Sequence, residues 1–102
     1  MALTNTVLTA SSAAIYTSTG DNVVTSVYFC NYSGAAKTID VWAIASGGTA
    51  IDGTLIYDTV SIKANDTYVM DLERLALANG DALHASASAV TSVTATVSTQ
   101  AL

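Results

Sequence analysis

The chain has 102 residues, of which 51% are hydrophobic and 11% charged; it carries a net charge of −5, one cysteine and no proline. A small soluble domain usually presents a surface with roughly 25–35% charged residues, so much of this chain's outside is expected to be covered, and covered by protein. The same figures exclude several classes: an acidic chain repels a nucleic-acid backbone, a single cysteine makes neither an intrachain disulfide nor a cysteine-rich zinc site, and no apolar run approaches the ~20 residues of a membrane-spanning helix.

The length allows one domain around one core. The opening residues, Met1 to Val7, lack the basic region and continuous apolar stretch of a secretory signal, so export by that route is not expected. Threonine, serine, valine, isoleucine and tyrosine predominate, which suits pleated, half-buried strands and predicts an all-β chain. Thr4 to Leu8 and Ala13 to Thr17 supply two short strands at the front. Asn22 to Tyr32 is the clearest strand: Val23, Thr25, Val27 and Phe29 fall on one face and Val24, Ser26, Tyr28 and Cys30 on the other. Both faces are largely apolar, which predicts a central position. After Ser33-Gly34 a strand from Lys37 places Ile39, Val41, Ala43 and Ala45 opposite Asp40, Trp42 and Ile44, and the two runs are expected to form a hairpin or meander pair.

Ser46-Gly47-Gly48-Thr49 reads as a turn, and Ile51 to Asp58 as a surface loop around Asp52-Gly53. Val60 and Ile62 share a short strand that Ala64-Asn65-Asp66 turns into Thr67 to Asp71, a second expected hairpin. Leu72 to Leu77 has helical spacing and predicts a short helical turn or corner, stopped by Asn79-Gly80. Strict alternation then predicts two closing strands, Ala82 to Ser88 and Val93 to Ser98. The sum is seven to nine strands in a single antiparallel β-sandwich over residues 1–102, jelly-roll-like or immunoglobulin-like.

Candidate chemistry is sparse. His84 is the sole imidazole and has no partnered nucleophile motif, which leaves it solvent-facing or hydrogen-bonding at an interface. Asp52, Asp58, Asp66 and Asp81 lie at turns, where calcium takes oxygen ligands, but hairpin ends demand Asp, Asn and Gly for their own geometry. No phosphate cradle, His-Glu-x-x-His or Gly-x-Ser-x-Gly motif occurs, and the chain is read as non-enzymatic, with no cofactor and no metal. Cys30, inside an apolar strand with no histidine near it in sequence, reads as a small hydrophobe rather than a nucleophile. Trp42 with Asp52, Tyr57 and Asp58 offers an alternative as a glycan platform, since flat rings stack on sugar faces; aromatic residues also serve as core filling and interface anchors. Apolar positions near the termini and tyrosines on loops or edges are the expected contacts with other chains: Leu3, Val7, Leu8, Tyr16, Tyr32, Tyr57 and Leu102. The lack of proline removes one guard against edge pairing, so a strand added across a subunit boundary is expected at either terminus.

The run from Thr25 through Asn31-Tyr32-Ser33-Gly34 to Val41 resembles a recurring pattern in small virion proteins of tailed bacteriophages, where a strand ends in an Asn-x-Ser-Gly turn and another returns at once. Leu55-Ile56-Tyr57-Asp58, Ile62 to Thr67 and Leu77 to Leu83 follow in the same order, so that the similarity spans about Val23 to Val97. Ser18-Thr19-Gly20-Asp21 stands where a proline-glycine turn is usual in those proteins. The resemblance implies a structural component of the particle, made in the host cytoplasm and placed on the virion. It would serve either as a capsid decoration (cement) protein bridging capsid subunits or in the tail, baseplate or fibre tip, where glycan binding would belong. Its implied partners are further copies of itself, as a trimer at threefold positions, and major capsid or tail proteins.

Overall fold

The computed structural model describes residues 2–70 and 75–102. Nine strands follow one another: β1 (Ala2–Val7), β2 (Ala13–Thr17), β3 (Asn22–Asn31), β4 (Lys37–Ile44), β5 (Leu55–Ile62), β6 (Thr67–Met70), β7 (Leu75–Leu77), β8 (Ala82–Ala87) and β9 (Val93–Ala101). A single 3-10 turn, Asp52–Thr54, precedes β5. All pairings are antiparallel, in two sheets. Sheet A runs β1-β9-β3-β6, with β7 also on β3, and sheet B runs β2-β8-β4-β5. The strands change sheet at every connection except β4 to β5 and β6 to β7. That alternation is the jelly-roll winding; an immunoglobulin sandwich keeps its first two strands in one sheet, which β1 and β2 do not do.

Inward residues of both sheets make one core, in which Ile15, Val27, Phe29, Val41, Leu83 and Val97 are fully or almost fully buried. β3 lies between β9 and the collinear pair β6 and β7, the central position its two apolar faces predict. Its alternation breaks at Thr25, where the register against β9 slips between Val24 and Ser26. One extra residue in a strand reverses the faces beyond it, so Val24 joins the core on the same side as Val27 and Phe29.

Two expected hairpins prove to be crossings. β3 and β4 belong to different sheets, as do β5 and β6, and neither pair is hydrogen-bonded. Both connections meet at Asn31, whose side chain is completely buried. Its Nδ2 donates to the carbonyls of Ala35 (2.9 Å), Ile62 (3.0 Å) and Lys63 (3.2 Å), and its Oδ1 accepts from the Ser33 N–H (3.0 Å) and hydroxyl (2.7 Å). One amide therefore satisfies main-chain groups of both crossing loops, which a buried loop requires. The expected surface loop ends at Thr54: Leu55 to Asp58 open strand β5. Of the expected helical turn, Leu72 falls outside the described residues, while Leu75–Leu77 is extended and paired to Asn22–Val24 of β3.

Candidate functional site

The outer face of sheet A is the least ordinary surface of the molecule. Register across β1, β9, β3 and β6 sets the outward side chains in rows: Leu3, Ser98 and Ser26; then Asn5, Thr96, Tyr28 and Val69; then Val7, Thr94, Cys30 and Thr67. None is charged, and among the described residues no strand of sheet A contains a charged residue. Four large apolar side chains nevertheless stand in solvent on this face: Leu3 (69% exposed), Val7 (51%), Tyr28 (44%) and Val69 (39%). Short hydroxyl residues fill the ground between them, and Asn5 Nδ2 donates to Thr96 Oγ1 at 2.9 Å across β1 and β9. Strand-forming Thr, Val and Tyr explain the local geometry. They do not explain a solvent-facing sheet free of lysine and glutamate, since exposed sheets normally alternate apolar in and polar or charged out.

Sheet B differs. Its strands carry Lys37, Asp40, Asp58 and His84. Trp42 and His84 are cross-strand neighbours on its outer face, with Ala14 of β2 beyond them. Both rings are half-buried, and His84 Nδ1 is buried without a hydrogen-bond partner. Tyr57 pairs with Val41, packs against the core from the other side of the sheet and sets its ring edge-on to Tyr68, 6.0 Å between centroids at 78°. Alternation along β4 turns Val41 inward and Trp42 outward, so the two aromatic members of the expected glycan platform point to opposite faces. Asp52 sits exposed in the 3-10 turn, and Asp58 Oδ1 accepts from the Thr59 hydroxyl at 2.9 Å.

The turn carboxylates serve their own loops. Asp66 Oδ1 accepts from the Thr67 N–H at 2.8 Å. Asp81 holds one end of the sandwich together: Oδ1 accepts from the Ser46 N–H and Oδ2 from the Ala78 N–H, both at 2.9 Å, while its backbone carbonyl accepts from Ser18 N–H at 2.8 Å. Among the described residues no group of three or more His, Cys, Asp or Glu side chains is placed to hold a metal ion. Two open clefts border this end, one of about 340 Å³ lined by Asp21, Ala76 to Ala78, Asp81 and Leu102, and one of about 200 Å³ between Ala43 to Ala45 and Leu75 to Leu77. Their ionisable groups are Asp21 and Asp81, and both Asp81 oxygens are already engaged.

The expected contact residues divide. Leu3 and Val7 lie on the outer face of sheet A, and Tyr32 and Leu102 are exposed at opposite ends of β3 and β9. Leu8, by contrast, is only 2% exposed and belongs to the core, because the alternation along β1 that turns Leu3, Asn5 and Val7 outward turns Leu8 inward. Tyr16 and Tyr57 are partly buried against the core rather than standing free on an edge. Tyr28 and Val69 are not among the expected contacts. Their signal was present in the charge-free runs around them, but it becomes a surface only when β3, β6 and β9 are known to be neighbours.

Compared with known proteins, the chain matches no family model, no curated protein and no solved structure. No helix among the described residues is long and apolar enough to cross a membrane.

Proposed function

We propose that this chain is a non-enzymatic structural protein, built into a larger protein assembly through the outer face of sheet A. The observation that carries the reading is the exposure of Leu3, Val7, Tyr28 and Val69 on a sheet face without a charge among the described residues. Depletion of charge with retention of aromatic residues is the compositional mark of an interface centre. The molecule measures 38 × 27 × 21 Å. Its shortest dimension fits two sheets about 10 Å apart with their outer side chains, which leaves broad faces on the order of 1,000 Å², comparable with the ~800 Å² each partner gives to a standard interface.

The assembly we infer is a bacteriophage particle, with the chain as a capsid decoration (cement) protein that bridges neighbouring capsid subunits; other copies of itself and the major capsid protein are its partners. The similarity of Val23 to Val97 to small virion proteins supports this setting. The jelly roll agrees with it, since capsid domains use that architecture, although lectins and cupins use it too and the fold alone selects no function. A tail-tip glycan role draws no comparable support, because Trp42 and Tyr57 do not share a face.

Quantitative mass spectrometry of gradient-purified particles tests the reading. Hundreds of copies per particle are expected, and absence from particles would refute it; a dozen or fewer would move the chain to the tail. In parallel, Leu3→Asp with Val7→Asp should abolish incorporation and leave folding intact, as both side chains are exposed.

A further inference from the structure

Each sheet of the sandwich has two edges, and three of the four edges carry a device against pairing with another chain. β2 is bulged between Ala14 and Tyr16. β5 has two register shifts against β4, the positive-φ residue Thr59 (φ 55°) and Asp58. The third edge is divided between the short strands β6 and β7. β1 has none of these. It is six residues in unbroken register with β9, uncharged and free of proline.

The phase of its hydrogen bonds follows from one contact. Leu8 N–H donates to the Val93 carbonyl at 2.9 Å, and Leu8 continues the register opposite Val93. Opposed antiparallel residues alternate between exchanging both bonds and exchanging none. Thr6, Thr4 and Ala2 therefore bond to β9, while the N–H and C=O groups of Leu3, Asn5 and Val7 point away from it, along the free edge.

Those three residues read the same in both directions. Around Asn5 the strand is nearly palindromic in chemistry: Thr4 mirrors Thr6, Leu3 mirrors Val7, and Ala2 mirrors Leu8. We propose that β1 pairs antiparallel with β1 of a second copy about a twofold axis through Asn5, joining two copies of sheet A into one continuous sheet. The pairs are Asn5 with Asn5, Leu3 with Val7 and Val7 with Leu3, each exchanging both main-chain bonds. Apolar side chains meet apolar ones, and the two Asn5 amides face each other.

Charge selects the same occupant. Each copy carries −5, so two copies repel unless they meet where neither is charged, and the β1 edge, with neighbouring β9 equally uncharged, is such a place. The pairing rests on the assembly reading for its setting and names one partner within it. It is isologous and closes at two, unlike the head-to-tail contacts of a threefold ring. A strand pair buries less than a standard interface, so free dimers should form only in the micromolar range, roughly the affinity of small contacts.

Disulfide trapping in a Cys30→Ser background tests the register. Asn5→Cys should form a covalent dimer on mild oxidation, because the paired Cα atoms lie about 5.5 Å apart, within the ~4.4–6.8 Å that a disulfide spans. Leu3→Cys should not, since Leu3 and its mate are four positions out of step, about 13 Å. Asn5→Pro removes a donor on the free edge, and with it the exposed side-chain bond to Thr96, while leaving the main-chain bonds of β1 to β9 in place, and should give a folded monomer, by circular dichroism and analytical ultracentrifugation, at concentrations where the parent chain is dimeric. Equal trapping of both cysteines, a folded Asn5→Pro dimer, or a parent chain that stays monomeric or forms trimers at about 100 μM would overturn the pairing. Should Asn5→Pro fail to fold, the two cysteine variants decide. Particles that carry the chain although Asn5→Cys is never trapped would refute the pairing and leave the capsid role standing; trapped dimers absent from particles would do the reverse.

Discussion

Asn31 shows how much of the winding depends on a single side chain. Among the described residues it is the largest fully buried polar side chain, and its amide joins the β3–β4 crossing to the β5–β6 turn through five hydrogen bonds. Asn31→Ala leaves the carbonyls of Ile62 and Lys63 and the Ser33 N–H to find other partners, at about 1–3 kcal/mol for each group that stays buried and unpaired. A total loss of about 3 kcal/mol is expected, measured as a lower urea midpoint with an unchanged slope. Asn31→Asp should be at least as damaging, because it aims a carboxylate at three carbonyl oxygens that need a donor. The Asn-x-Ser-Gly segment was legible in the sequence as a turn. Its reach across to Ile62, thirty-one residues on, was not, since nothing local in Asn31 distinguishes an amide serving its own turn from one serving another.

At the scale of elements, alternation found the strands and missed their partners. Asn22 to Asn31, Ile39 to Ile44, Ala82 to Ala87 and Val93 onward lie in runs with apolar residues at every second position, and each is strand. Period two does not say which sheet a strand joins. Short connections at Ser33-Gly34 and Asn65-Asp66 suited hairpins, yet both cross the sandwich, because adjacent strands in a jelly roll alternate between sheets. Leu75 to Leu77 carries too few residues for its spacing to decide between helix and strand, and pairing with β3 decided it. The candidate face suffered most from this: its residues come from β1, β3, β6 and β9, which sequence order scatters over most of the chain. The face makes a sharp prediction about neighbouring positions on one strand. Tyr28→Glu, on the outer face, should change stability by no more than about 0.5 kcal/mol and abolish incorporation into particles, while self-association through β1, two strands away, stays unchanged. Val27→Asp, one residue earlier but completely buried, should prevent folding at 37 °C, because an unpaired carboxylate in the core costs several kcal/mol. Circular dichroism and sedimentation velocity on the two variants separate the effects.

Among the described residues the charge is divided between the two sheets, and this ties stability to association. Sheet B and the turns carry the charges of the described residues, while sheet A carries none. Sheet A also holds the pairings that close the chain: β1 meets β9 in register from Ala2 with Thr99 to Val7 with Thr94, and β9 meets β3 along nearly its full length. β1 is therefore both the edge offered to a partner and the strand that covers β9, so a partner bound along β1 opposes the local fraying that edge and terminal strands otherwise undergo. Anything that binds the native state and not the unfolded one raises the unfolding midpoint by mass action. The parent chain should accordingly melt at a higher temperature as its concentration rises. Between concentrations tenfold and a thousandfold above the dimer Kd the gain is on the order of 1–3 kcal/mol, which for a domain of this size corresponds to a shift of roughly 4–15 °C. Asn5→Pro, with its free edge blocked, should show no such dependence. A calorimetric midpoint that stays constant in the parent over this range would mean that β1 gains nothing from a partner and that sheet A is covered, if at all, only by a different protein.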